Sequence, residues 1–125
     1  MLRKVAAVLA ALTAAIHIIV GGRDALAPVL AAGLSAPAEG AMHAVWHMVS
    51  VFLLWSALAF WRGGAVAVHF GVLWLISAAI FIYVGLWQEG LTGLAVNPQW
   101  TIFIVTGGLA LVAEYLSWNK PQSQS

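Results

Sequence analysis

The sequence contains no cysteine and very little charge, and each shortage excludes a class of function. Without cysteine, disulfides, thiolate metal sites, iron–sulfur clusters and cysteine nucleophiles are excluded together. Charged residues make up 7% of the chain and the net charge is +1. No basic surface is therefore available to neutralise the phosphates of a nucleic acid. The alternation of polar and apolar residues that marks half-buried strands is also absent.

What the chain does contain is apolar sequence, gathered into four long stretches. Hydrophobic residues make up 63% of it, more than in ordinary soluble domains. The stretches run about 5–22, 41–61, 65–87 and 100–118, each near the roughly 20 residues that cross the hydrocarbon core as a helix. Backbone polar groups in lipid must pair within the segment, which favours helices. We predict an all-α integral membrane protein with one four-helix domain over 1–120 and a polar tail at 121–125.

The basic residues predict how these spans are oriented. Arg3, Lys4, Arg62 and Lys120 fall on one side of the four spans and Arg23 falls on the other. Because basic residues concentrate in cytoplasmic segments, we expect both termini in the cytoplasm and an up-down bundle in the inner membrane. A cleaved signal peptide is the alternative for the first stretch, but its apolar run continues past the usual length.

Tryptophans mark the predicted membrane interfaces. Those near the helix ends are Trp46, Trp61, Trp87, Trp100 and Trp118, as expected of interfacial aromatic belts. Trp55 and Trp74 lie deeper, and we expect both to pack inside the bundle.

Histidines dominate the polar residues inside the spans, where ionisable groups are costly and often functional. Glu39, His43 and His47 recur at four-residue spacing and share one stripe of the second helix. His17 lies at a similar depth on the first helix. If the two stripes face each other, the three imidazoles converge near the outer face.

Three interpretations of these histidines remain open. Imidazoles from His17, His43 and His47, with Glu39 as a further ligand, suit a transition metal such as copper or zinc. Two imidazoles from facing helices would instead hold haem b. The third interpretation is that the histidines are neutral, hydrogen-bonded and serve only helix packing.

A second polar pair lies toward the cytoplasmic side. His69 begins the third helix and Glu114 comes late in the fourth, so both are expected at one depth. They are predicted to form either part of a proton path or a buried pair that fixes helix register.

In length and four-span layout the chain resembles the small multidrug-resistance transporters and the DoxX-type membrane proteins. The drug transporters rely on a glutamate in the first helix, where this chain has only His17. The resemblance thus covers architecture and not drug–proton antiport.

These observations favour a binding or redox accessory protein over an enzyme. One alternative is a small transporter or proton-coupled carrier, acting as a homo-oligomer. Another is a structural or assembly subunit that joins partner membrane subunits.

Overall fold

The computed structural model describes residues 1–119, and all regular structure in that range is helical. Helix α1 (Leu2–Ile16) continues through a π-helical stretch (His17–Leu26) into the short α2 (Ala27–Ala31). Helices α3 (Ala36–Arg62) and α4 (Ala65–Glu89) follow. A 3₁₀ turn (Gly90–Thr92) and α5 (Gly93–Val96) then lead to α6 (Gln99–Trp118). Lys120 and the predicted tail at 121–125 lie outside the described residues.

Four helical segments are long and apolar enough to cross a membrane. They are Leu2–Ala31, Ala36–Arg62, Ala65–Val96 and Gln99–Trp118. Large apolar side chains are also exposed along them, among them Ile19 and Leu91, and such surface indicates a lipid environment. The prediction of an all-α fold with four long apolar helices able to span a membrane is confirmed.

The first connection is shorter and more helical than the sequence suggests. The first span was expected to end at residue 22, but helical structure continues to Ala31. In the last π-helical hydrogen bond, the Ala27 N–H donates to the Gly22 carbonyl. The π-helical bonding stops at Pro28, because proline has no N–H. Gly33 then ends the segment at φ +76°, a left-handed conformation that glycine adopts without strain. Only 32–35 separates α2 from α3.

Each long helix makes its main contacts with two others. Helix α1 packs against α3 and α6, and α4 packs against α6 and α3. The turn between α3 and α4 consists of Gly63 and Gly64, with φ of +82° and +81°. Both residues have a positive φ that favours glycine, and across this two-residue connection α3 and α4 pack against each other as a tight hairpin.

The centre of the molecule is aromatic. Trp74 is fully buried and its ring centroid lies 4.6 Å from that of Phe103 and 6.0 Å from that of Phe60. The interior position predicted for Trp74 is therefore confirmed. Trp55 was expected inside as well, but 55% of its surface is exposed.

Candidate functional site

His17 is held by Trp46 across the first and second spans. The two rings are stacked, with centroids 4.1 Å apart and planes 19° from parallel. His17 Nε2 also lies 3.3 Å from the Trp46 carbonyl oxygen. A hydrogen bond at this contact requires the Nε2–H tautomer, because a carbonyl oxygen only accepts. His17 thus packs between the first and second spans.

Gly21 makes room for this contact. A Cβ there would lie 3.1 Å from Trp46 Cη2, closer than ordinary van der Waals contact. The indole therefore lies against the backbone of the π-helical stretch one turn beyond His17. The Trp46 carbonyl also accepts from the Ser50 hydroxyl at 3.0 Å, in addition to the backbone hydrogen bonding of α3.

His43 and His47 occupy a different face of α3. Both side chains are exposed, and their rings lie nearly parallel with centroids 6.3 Å apart. Four-residue spacing on one helix produces this arrangement. Within residues 1–119 neither imidazole forms a hydrogen bond with a protein group. The two histidines therefore form an open pair directed away from the helices that pack on α3.

The structure does not bring the predicted ligands together in one chain. Glu39 is exposed at the start of α3 and His17 is stacked on Trp46. Among the residues described, no group of three or more His, Cys, Asp or Glu side chains is placed to hold a metal ion. Over residues 1–119, one chain thus supplies the pair His43 and His47 without a third ligand of these types grouped with them.

Glu114 is the most deeply buried ionisable group among the described residues, at 2% exposure. Its Oε2 accepts from the Gly64 N–H at 2.9 Å, and its Oε1 lies 3.9 Å from Arg3 Nη1. Arg3 in turn crosses the α3–α4 turn, where a Cβ on Gly63 would collide with the guanidinium. The carboxylate joins α6, the turn and the N-terminus.

His69 and Glu114 have different partners. His69 is exposed, and its Nδ1 lies 2.7 Å from the Ala65 carbonyl oxygen of its own helix. Glu114 instead contacts Gly64 and Arg3, as described above. The structure thus offers no direct link between these two residues for the predicted proton path.

Sequence reasoning treated Arg3 and Lys4 as orientation signals and missed their contacts. Lys4 Nζ lies 3.2 Å from the centroid of the Trp61 ring, a cation–π contact. A signal was available for Arg3, because a carboxylate within an apolar helix needs a positive partner at its own depth. The N-terminal basic pair lies on the same predicted side as Glu114.

Comparisons with family models, curated proteins and solved structures give no match for this chain.

Proposed function

We propose that this chain is an up-down, multi-pass protein of the inner membrane that binds a transition-metal ion near its outer face through His43 and His47. The observation that carries the proposal is the open pair of parallel imidazoles on the exposed face of α3. Neutral imidazole nitrogen is a preferred ligand of zinc, copper and nickel. Both termini lie in the cytoplasm in this proposal, because Arg3, Lys4 and Arg62 belong to that side.

The depth of the pair supports a functional role. Trp61 and Arg62 end α3, and a tryptophan beside an arginine is typical of a membrane interface. His47 precedes Trp61 by fourteen residues, which is about 21 Å along the helix. It thus lies about two-thirds of the way across a hydrocarbon core of roughly 30 Å. A polar side chain at that depth is costly unless a partner or an ion satisfies it.

The geometry of the pair suits a shared ion. Zinc lies about 2.0–2.1 Å from an imidazole nitrogen, so two ligating nitrogens must lie within roughly 4 Å of each other. The ring centroids are 6.3 Å apart, and exposed side chains change rotamer freely, on a timescale of picoseconds to nanoseconds. Small rotations of His43 and His47 therefore bring one nitrogen from each to a common point. Haem is less well supported, because His17 lies flat on Trp46 rather than facing this pair.

Metal titration of the purified protein tests the proposal. Zinc(II) and copper(II) are titrated into protein in a mild non-ionic detergent, with binding measured by calorimetry and by bound-metal analysis after desalting. The double variant His43→Ala, His47→Ala is expected to lose the site. His69→Ala and His17→Ala serve as matched controls, since each removes an imidazole from elsewhere in the spans, and both are expected to keep wild-type affinity.

Two results would contradict the proposal. One is equal metal binding by wild type and the double variant. The other is loss of binding in His17→Ala with a wild-type α-helical circular dichroism spectrum, which would move the site to the first span.

A further inference from the structure

The two histidines leave a transition-metal site half complete. Closed zinc sites have four protein ligands in tetrahedral geometry, whereas the described residues of one chain group no third His, Cys, Asp or Glu with His43 and His47. The missing ligands must come from water or from another chain. The exposed face of α3 indicates which of these two sources supplies the missing ligands.

A seven-residue repeat runs along this exposed face. Its members are spaced alternately four and three residues apart, and all are exposed. They are Gly40, Ala44, His47, Val51, Leu54, Leu58 and Trp61. Alternating spacing of this kind is the a/d seam of a left-handed helix pair. We call this set the α3 seam.

The α3 seam also has the surface relief of a helix-packing face. Val51, Leu54, Trp55 and Leu58 line an apolar groove of about 270 Å³, the kind of hole that a side chain of a facing helix fills. At the other end of the seam, Gly40 and Ala44 are small. Small residues let two helices approach closely within a membrane, and here they do so next to His43 and His47.

We infer that a second copy of this chain packs against the α3 seam, and that the four imidazoles of His43 and His47 from both copies bind one transition-metal ion. The inference rests on the proposed metal binding. Copies inserted with the same orientation are related by an axis along the membrane normal, so equivalent residues lie at equal depth. In a parallel helix pair, each residue of the seam lies opposite the same residue of the other copy. His47 thus faces His47, with His43 flanking on each side.

A second copy fits this face because it brings small residues and ligands together at the same point. Two copies related by a two-fold axis meet through the same surface, so Gly40 and Ala44 of one copy meet the same small residues of the other beside His43. His43 and His47 from two copies also give the four nitrogen ligands that tetrahedral zinc takes. No unsatisfied imidazole then remains against lipid.

Cross-linking through a single introduced cysteine tests the interface, because the chain has none of its own. Leu54→Cys lies in the seam. Leu73→Cys is the matched control: it is also exposed, on α4, and is nine residues from the glycine turn, as Leu54 is. Oxidation in membranes is expected to give disulfide-linked dimers of Leu54→Cys and few of Leu73→Cys. Equal yields, or an adduct whose mass is not twice that of the chain, would overturn the inference.

The ligand count tests the site itself. Native mass spectrometry of detergent-solubilised wild type with added zinc(II) is expected to show one ion per two chains. The double variant His43→Ala, His47→Ala is expected to show none. A histidine-dependent ion on each single chain would leave the proposed function standing and overturn the shared site. Dimers that bind no ion would overturn both.

A steric variant keeps the test independent of the histidines. Gly40→Leu puts a large side chain into the seam, where a Cβ meets nothing within the chain. Ala38→Leu, exposed on another side of α3, is its control. Gly40→Leu is expected to lose both the cross-link of Leu54→Cys and the shared ion, whereas Ala38→Leu keeps both. Retention of both by Gly40→Leu would contradict the close approach that the site requires.

Discussion

At the scale of single residues, the buried carboxylate of Glu114 is the most demanding group in the fold. A carboxylate removed from water is strongly destabilising unless a charge or hydrogen-bond donor compensates it. The Gly64 N–H does so directly at 2.9 Å, and Arg3 does so at 3.9 Å with 40% of its side chain exposed. The hydrogen bond from Gly64 is thus expected to contribute more to the free energy of unfolding than the partly solvated ion pair with Arg3.

A double-mutant cycle tests this order. Glu114→Gln keeps an acceptor for the Gly64 N–H, so it is expected to cost less free energy of unfolding than Glu114→Ala, which removes that hydrogen bond at about 0.5–1.5 kcal/mol. Arg3→Ala is expected to destabilise wild type but not Glu114→Gln, because the charge it compensates is then gone. Unfolding in mixed micelles of increasing SDS fraction gives the values. An equal effect of Arg3→Ala in both backgrounds would show that Arg3 acts through packing rather than charge.

At the scale of helices, the sequence indicates where each span lies but not which way its faces point. A helix in water shows its buried side by apolar periodicity, but a helix in lipid is apolar toward both lipid and core. The spacing of His43 and His47 predicted one shared face, and they do share one. That this face points outward, and that Trp55 does too, follows from packing partners that the sequence leaves open. The stacking of His17 on Trp46 also follows from which helices pack together, and the sequence leaves this open.

The crossing of α4 and α6 depends on the absence of a single side chain. A Cβ on Gly107 would lie 2.9 Å from the Gly71 carbonyl oxygen and 3.0 Å from Trp74 Cβ. Gly108, the next residue, has nothing within 4 Å of its Cβ position. The two glycines therefore lie in the same helix and have the same intrinsic helix propensity, but their surroundings differ.

Alanine at each position separates packing from propensity. Gly107→Ala is expected to lower the free energy of unfolding by about 1–3 kcal/mol, because α4 and α6 must move apart. Gly108→Ala is expected to be neutral or to stabilise by about 0.5–1 kcal/mol, since alanine is the better helix former. Thermal unfolding followed by circular dichroism provides the comparison. Similar values for both would mean that the helices do not approach as closely as described.

At the scale of the whole molecule, one end gathers the basic residues. Arg3 contacts Glu114, Lys4 lies over Trp61, and the glycine turn lies between them. The N-terminus, the α3–α4 turn and the last turns of α6 therefore meet at the same end. These are the segments that the basic residues assign to one side of the membrane, so contacts and charge distribution agree on which segments belong together.

This agreement makes a specific prediction about insertion. If that end is cytoplasmic, green fluorescent protein fused after residue 125 is expected to fluoresce, and alkaline phosphatase fused there is expected to be inactive. Phosphatase inserted at Gly33, between α2 and α3, is expected to be active, because an odd number of spans separates that loop from the N-terminus. The basic residues determine the orientation in the membrane. Replacing Arg3 and Lys4 with glutamine and adding two lysines beside Gly33 is therefore expected to weaken or invert the reporter activities at both sites. Inversion of the unaltered protein would place His43 and His47 near the cytoplasmic face, so the proposed ion would exchange with the cell interior instead of the opposite side of the membrane.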